Sequence, residues 1–319
     1  MFLIFFDNFF LSPQIECSTM ADEHQSTGSL KKLYLWANYR SLGTIFLKWL
    51  SNLEDSKVIN GMFTSAYFYG VDSKGPAEVS DTTSKLSMET DLSEFPFIYD
   101  ASQHTYESAK EQVESVDYPG MKYLICKDLP FSLCGNHDLI PAGFRHTFLI
   151  RHPYKMFSSW KAILGRLYFP GLSLPEIFDS HLNKHYNYKE QYELLRYLQE
   201  HPELGDPNPI VLDADDLLNH PERILPQYCQ AIGVPYADDM LKWKPGREVV
   251  NKWMISRQLC GGGFHNDECG FYKTAMESSS FLPAKKLPER DELDEDVLAC
   301  ADITMPYYDL MYNMRNVRP

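Results

Sequence analysis

The sequence predicts a three-layer α/β fold, a parallel central sheet flanked by helices. Three observations predict it. Short, mainly apolar runs recur at LYLWA (33–37), MKYLIC (121–126), HTFLI (146–150) and PIVL (209–212). Between them lie stretches whose apolar residues repeat at helical spacing. A polar turn follows each run at its carboxyl end, respectively NYRSLGT, KDLP, RHP and DAD. Strands that are apolar on both sides are buried on both faces, and helical connections between them favour parallel pairing.

The elements follow in order. Residues 1–30 read as a weakly ordered N-terminal tail, and 31–319 as one domain. The tail is aromatic, but Asp7 breaks its apolar run and no basic segment precedes it, which fits a secretory signal poorly. It is either a poorly packed extension or a stretch upstream of a start at Met20. After the strand at 33–37, Ile45, Phe46, Trp49, Leu50 and Leu53 mark a helix. Residues 71–95 are rich in Ser, Thr and acids and read as a long polar loop. Helices are expected over Tyr106–Val116, Tyr154–Leu164 and Tyr188–Glu200. Asn219, with Pro221 and Glu222 after it, predicts a further helix start. Ile224, Leu225, Tyr228 and Ile232 give that helix its apolar face. The five tryptophans have apolar neighbours and read mainly as core; Trp160, beside Ser159, is also a candidate to line a ligand site.

Composition narrows the function. The 319 residues are 44% apolar and 23% charged, a globular balance. Thirty basic against 44 acidic residues give a net charge of −14, which disfavours nucleic acid as a partner. A small anion is still compatible, because a few Arg and Lys suffice to line one pocket. The acidic run Glu289–Asp296 reads as a solvated helical face. Seven cysteines without a C-x-x-C pair suggest free thiols in a reducing compartment, hence a cytoplasmic protein. Cys260, His265 and Cys269 lack a fourth ligand at a zinc-site spacing, so no metal is expected. No apolar run reaches 18 residues, so no membrane-spanning helix is expected.

Two turns carry the chemistry. A strand that runs into Asn38–Thr44 and then a helix presents free backbone N–H groups and the positive end of the helix dipole. Arg40 adds a forked cation, Ser41 and Thr44 add hydroxyls, and Gly43 permits close approach. The pattern is not a Walker A loop, since no Gly-Lys-Ser or Gly-Lys-Thr follows. In the second turn, Arg151 ends a strand, Pro153 suits a first helical turn, and Ser159 lies eight residues further on. An arginine at a strand end and a hydroxyl on the next helix can hold a second phosphate. Asp213 after its strand either mimics a magnesium-binding carboxylate or stabilises the strand-to-helix junction; without a Walker A lysine the second reading is favoured.

Taken together, these motifs resemble the sulfotransferase superfamily, P-loop-like proteins that use 3′-phosphoadenosine 5′-phosphosulfate (PAPS). The nearest pattern is the branch with a first motif A-x-P-R-S-x-S-T-A-F, some members of which are called aminotransferase-like. This chain reads Ala37-Asn-Tyr-Arg-Ser-Leu-Gly-Thr-Ile-Phe46 there. The resemblance continues through Lys127-Asp128, FLIRHP with Ser159, PIVLDADDLLNHPE from Pro209, Leu241–Gly246 and Tyr272–Phe281.

The resemblance implies a P-loop sulfotransferase-like fold and sulfuryl transfer from PAPS to a hydroxyl or amine of a small acceptor, without a metal. Arg40, Ser41, Gly43 and Thr44 would hold the 5′-phosphosulfate, and Arg151 and Ser159 the 3′-phosphate. Lys127 and Arg40 would stabilise the leaving phosphate. Tyr39 replaces the proline of the first motif, Phe63–Tyr67 lacks a Glu-Pro pair, no histidine stands just after Lys127, and Ser279-Ser-Phe281 replaces Thr-Gly-Phe. The base is therefore open among Asp128, His104, His137 and His265, with Asp128 first because it adjoins Lys127. The Gly261–Gly263 triplet after Arg257 reads as a mobile loop or as a cover for the 3′ side. Two other functions remain in view, a kinase-like phosphotransferase and a non-catalytic nucleotide-binding protein.

Overall fold

The computed structural model describes residues 29–77, 91–115, 117–167, 169–180, 186–261 and 272–319. The expected tail lies almost wholly outside the described residues, as do 78–90 of the polar loop and His265, Cys269, Gly262 and Gly263.

The described strands are β1 (Lys31–Ala37), β2 (Ser56–Asn60), β3 (Ile98–Tyr99), β4 (Tyr123–Asp128), β5 (Arg145–Ile150), β6 (Ile210–Asp213) and β7 (Ile255–Ser256). Five form a parallel sheet in the order β2-β4-β1-β5-β6, and β3 pairs with β7 separately. The main helices are α1 (Gly43–Leu50), α2 (Met62–Tyr69), α3 (Tyr106–Glu114), α4 (Pro153–Leu167), α5 (Leu174–Ser180), α6 (Lys189–Glu200), α7 (Ala214–Asn219), α8 (Pro221–Ile232), α9 (Lys273–Glu277) and α10 (Glu295–Asn313).

Alternation along β1 divides the core into two layers. Tyr34 and Trp36 pack with α2, α4, α6 and α10 residues on one face. Leu33, Leu35 and Ala37 pack with Phe46, Trp49, Ile224 and Tyr228 of α1 and α8 on the other. Burying each large side chain contributes roughly 1.5–3 kcal/mol, which is why a sheet apolar on both sides is covered on both sides.

The predicted α/β class holds, and all five tryptophans are buried. Strand β2 was not anticipated: SKVIN has only two apolar residues. Helix α10 was not anticipated as a whole either. Its acidic start resembles a surface run, and Pro306 interrupts its pattern on the exposed side. The predicted start at Asn219 is displaced. Asn219 closes α7, α8 begins at Pro221, and the Asn219 Oδ1 accepts from Ala284 N at 3.0 Å instead of capping α8.

The chain order places β1 between β4 and β5, where connections leave the sheet in opposite directions. Crevices beyond the carboxyl ends of strands at such a point are the usual ligand sites of open parallel sheets.

Candidate anion-binding site

The carboxyl ends of β4, β1 and β5 are neighbours on this side of the sheet. After β1, the chain turns tightly through Asn38–Leu42. Arg40 and Leu42 both adopt left-handed backbone angles, φ 61° and 74°. Such conformations cost about 1–2 kcal/mol for residues other than glycine. Ser41 closes the turn: fully buried, it donates from Oγ to the Asn38 carbonyl at 2.6 Å. Leu42 occupies the N-cap of α1, and no side chain caps the helix there among the described residues. The first amides of α1 therefore keep the donor capacity that attracts anions.

Gly43 is required by close approach. A Cβ there would stand 2.8 Å from the Ala37 Cβ and 3.6 Å from the Lys127 Cε. The aliphatic part of Lys127 thus passes directly beside the start of α1. Its Nζ has no hydrogen-bond partner among the described residues. Burial lowers its pKa to about 8, only partly opposed by the Asp128 charge.

The arginines converge. Arg151, just after β5, donates from Nη1 to the Arg40 carbonyl at 2.9 Å. Arg40 donates from Nε to Ser159 Oγ on α4 at 3.1 Å. Burial, and secondly the Arg151 charge, hold the Arg40 pKa below its usual value. The Arg151 backbone is clamped by Tyr188, whose hydroxyl accepts from Arg151 N at 2.9 Å and donates to Arg151 O at 3.0 Å. Gln191, buried at the start of α6, donates to the carbonyls of Trp36 and Leu149 at 3.4 and 3.1 Å, tying β1 to β5. Tyr188 and Gln191 read in sequence only as members of a helix face; nothing in their spacing marks them as clamps.

Thr44 lies half-buried in the first turn of α1. Arg40, Ser41, Gly43, Thr44, Arg151 and Ser159 therefore share one region, with Lys127 beside it. Asp128 points to the opposite face of β4. It is 1% exposed, its Oδ1 accepts from Thr64 N and Oγ1 at 2.7 and 2.8 Å, and its Oδ2 accepts from Tyr34 at 2.7 Å. Desolvation raises its pKa against these hydrogen bonds. Of the histidines, His104 packs on Tyr99 and His137 on Tyr197, in contacts separate from the arginine turns.

Aromatic rings border the turn. Tyr39 lies against Trp160 and Phe131, with ring centres 4.6 and 5.7 Å apart. Asp213 caps α7, accepting from Asp215 N and Asp216 N, and takes a hydrogen bond from Tyr308 at 3.0 Å. Burial raises its pKa to about 6. Its hydrogen bonds make it the junction residue that the sequence favoured. Among the described residues, no group of His, Cys, Asp and Glu is arranged to hold a metal ion, and no helix is long and apolar enough to cross a membrane.

No protein-family model matches the chain. Several solved structures resemble it, three of which follow. A sulfotransferase from Alicyclobacillus acidocaldarius is 14% identical, with a TM-score of 0.41 over 67% of this chain and 87% of its own. The sulfotransferase domain of the Synechococcus PCC 7002 olefin synthase is 11% identical, with a TM-score of 0.36 over 86% and 94%. The sulfotransferase domain from the curacin biosynthetic pathway is 16% identical, with a TM-score of 0.37 over 86% and 97%. All three are described as sulfotransferases or sulfotransferase domains. Among curated proteins, the branched-chain-amino-acid aminotransferase-like protein 1 of Arabidopsis thaliana is 26% identical over 196 residues. That match spans 60% of this chain but only 28% of the relative's length.

Proposed function

We propose that this protein transfers a sulfuryl group from PAPS to a hydroxyl or amine of a small acceptor. The observation that carries the reading is the convergence of Arg40 and Arg151 between the ends of β1 and β5, with Ser159 bonded to one of them. The Arg151 charge disfavours the Arg40 cation beside it, and a ligand with more than one phosphate would favour both charges.

The residues fit such a ligand. The uncapped start of α1, with Arg40 and Thr44, would hold the 5′-phosphosulfate, with Gly43 allowing close approach. Ser41 would contribute through the turn it closes, since its hydroxyl is engaged internally. Arg151 and Ser159 would hold the 3′-phosphate. PAPS, when bound, supplies an activated sulfuryl group. Lys127, cationic below about pH 8, stabilises negative charge beside the first turn of α1. Asp128 is assigned to holding α2 and β1 against β4 rather than to proton removal, because both its oxygens are engaged. That same engagement favours a second reading, a protein that binds the nucleotide and transfers nothing.

Calorimetry with Arg151→Ala tests the donor site. Affinity for 3′,5′-diphosphoadenosine falls about ten- to a hundredfold, or 1.4–2.8 kcal/mol, while adenosine 5′-phosphate is spared. Equal losses for both nucleotides refute the assignment. Sulfate label passing from PAPS to a component of a metabolite extract separates the enzyme from the binder.

A further inference from the structure

The start of α7, directly after β6, brings a carboxylate to the second arginine. Arg151 Nε and Asp215 Oδ1 face each other at 4.0 Å. Both atoms are buried, and neither has a hydrogen-bond partner. A closed Arg–carboxylate hydrogen bond is about 2.7–2.9 Å long, so this pair is poised and not made. The other oxygen, Asp215 Oδ2, is held at 2.5 Å by Lys155 Nζ, from the first turns of α4. The neighbouring acids of α7 are committed elsewhere: Asp213 to its cap and Tyr308, Asp216 to Arg315. Asp215 is thus one carboxylate between two cations, engaged by one and within reach of the other.

We propose that Asp215 is a positioning counter-ion for Arg151, restrained by Lys155. While Lys155 holds the carboxylate, Arg151 keeps its charge available to an anion at the two arginine turns. Without Lys155, Asp215 closes on Arg151 and competes with that anion. Without the Asp215 charge, Arg151 attracts the anion more strongly. The inference rests on the reading of Arg151 as an anion-binding residue, and it predicts opposite effects for two neighbouring substitutions, which a purely structural role does not.

The test uses the full chain carrying Asp215→Asn or Lys155→Met, with Lys155→Gln as a second variant should the methionine variant fail to fold. The first readout is the rate of phenylglyoxal modification of Arg151, followed by peptide mass spectrometry without nucleotide. A carboxylate closed on the guanidinium slows modification. Asp215→Asn speeds it, and Lys155→Met slows it, each about three- to tenfold. The second readout is calorimetric affinity for 3′,5′-diphosphoadenosine, which rises in Asp215→Asn and falls in Lys155→Met by similar factors. Shifts in the same direction, or unchanged modification rates in both variants, overturn the counter-ion role. Absence of nucleotide binding by the unmodified protein instead sinks the functional reading, and the modification rates still decide the role of Asp215.

Discussion

Lys127 lies against Gly43: its Cε would sit 3.6 Å from a Cβ added there, while the Ala37 Cβ would be only 2.8 Å away. The lysine of one strand end, the last residue of the next strand and the first residue of α1 thus meet at a point with no room for a methyl group. Gly43→Ala therefore forces the turn away from β1. Overpacking of this kind costs about 1–3 kcal/mol. Thermal unfolding should show a lowered Tm, and nucleotide affinity should fall with it. An unchanged Tm would contradict the close packing.

Lys127 is expected to set a pH dependence of anion binding. With a pKa of about 8, it is cationic below that value and neutral above it. Affinity for 3′,5′-diphosphoadenosine should decline as pH rises through about 8, and Lys127→Met should remove that step. If transfer occurs, loss of this cation should cost about a hundred- to a thousandfold in kcat. A pH profile shared by the variant would exclude Lys127 as its source.

Asp128 is expected to act on stability. Asp128→Ala leaves Thr64 N, Thr64 Oγ1 and the Tyr34 hydroxyl without their shared acceptor. Buried donors left unsatisfied cost about 1–3 kcal/mol each, so a loss of about 3 kcal/mol or more is expected in denaturant melts. Tyr34→Phe should cost less, since Asp128 keeps two of its three donors. A fully stable Asp128→Ala protein without transfer activity would instead restore Asp128 as a base.

His146 is expected to make the fold acid-sensitive. It is fully buried, its Nδ1 accepts from Trp36 Nε1 at 3.0 Å, and desolvation holds its pKa down at about 3. The unfolded chain takes up this proton near pH 6.5. Below that pH the unfolded state binds more protons, so His146's contribution is complete above 6.5 and is lost progressively as pH falls towards 3. His146→Gln keeps an acceptor for Trp36 and cannot titrate. Its stability, followed by circular dichroism, should depend less on pH between 6.5 and 3. An identical slope in both proteins would place the acid sensitivity elsewhere.

Much of the candidate site is legible in the sequence because its turn chemistry is local. Asn38–Thr44 announces itself through Arg40, two hydroxyls and Gly43 between a strand and a helix, and Arg151 through its place at a strand end. Less legible were groups whose role depends on partners far along the chain. Tyr188 clamps a residue 37 positions away, and Gln191 bridges to one 155 positions away. Asp128 looked like a base because it adjoins Lys127, yet neighbours on a strand point to opposite faces.

The sequence by itself determined the α/β class, most of the strands and the residues of both arginine turns, because apolar periodicity and turn chemistry act over a few residues. Tertiary structure alone decided that the two turns meet, that Asp128 is locked in the core, and that Asp215 stands between Lys155 and Arg151. Those outcomes depend on strand order and side-chain direction, which are set by packing across the whole sheet and not by any one segment.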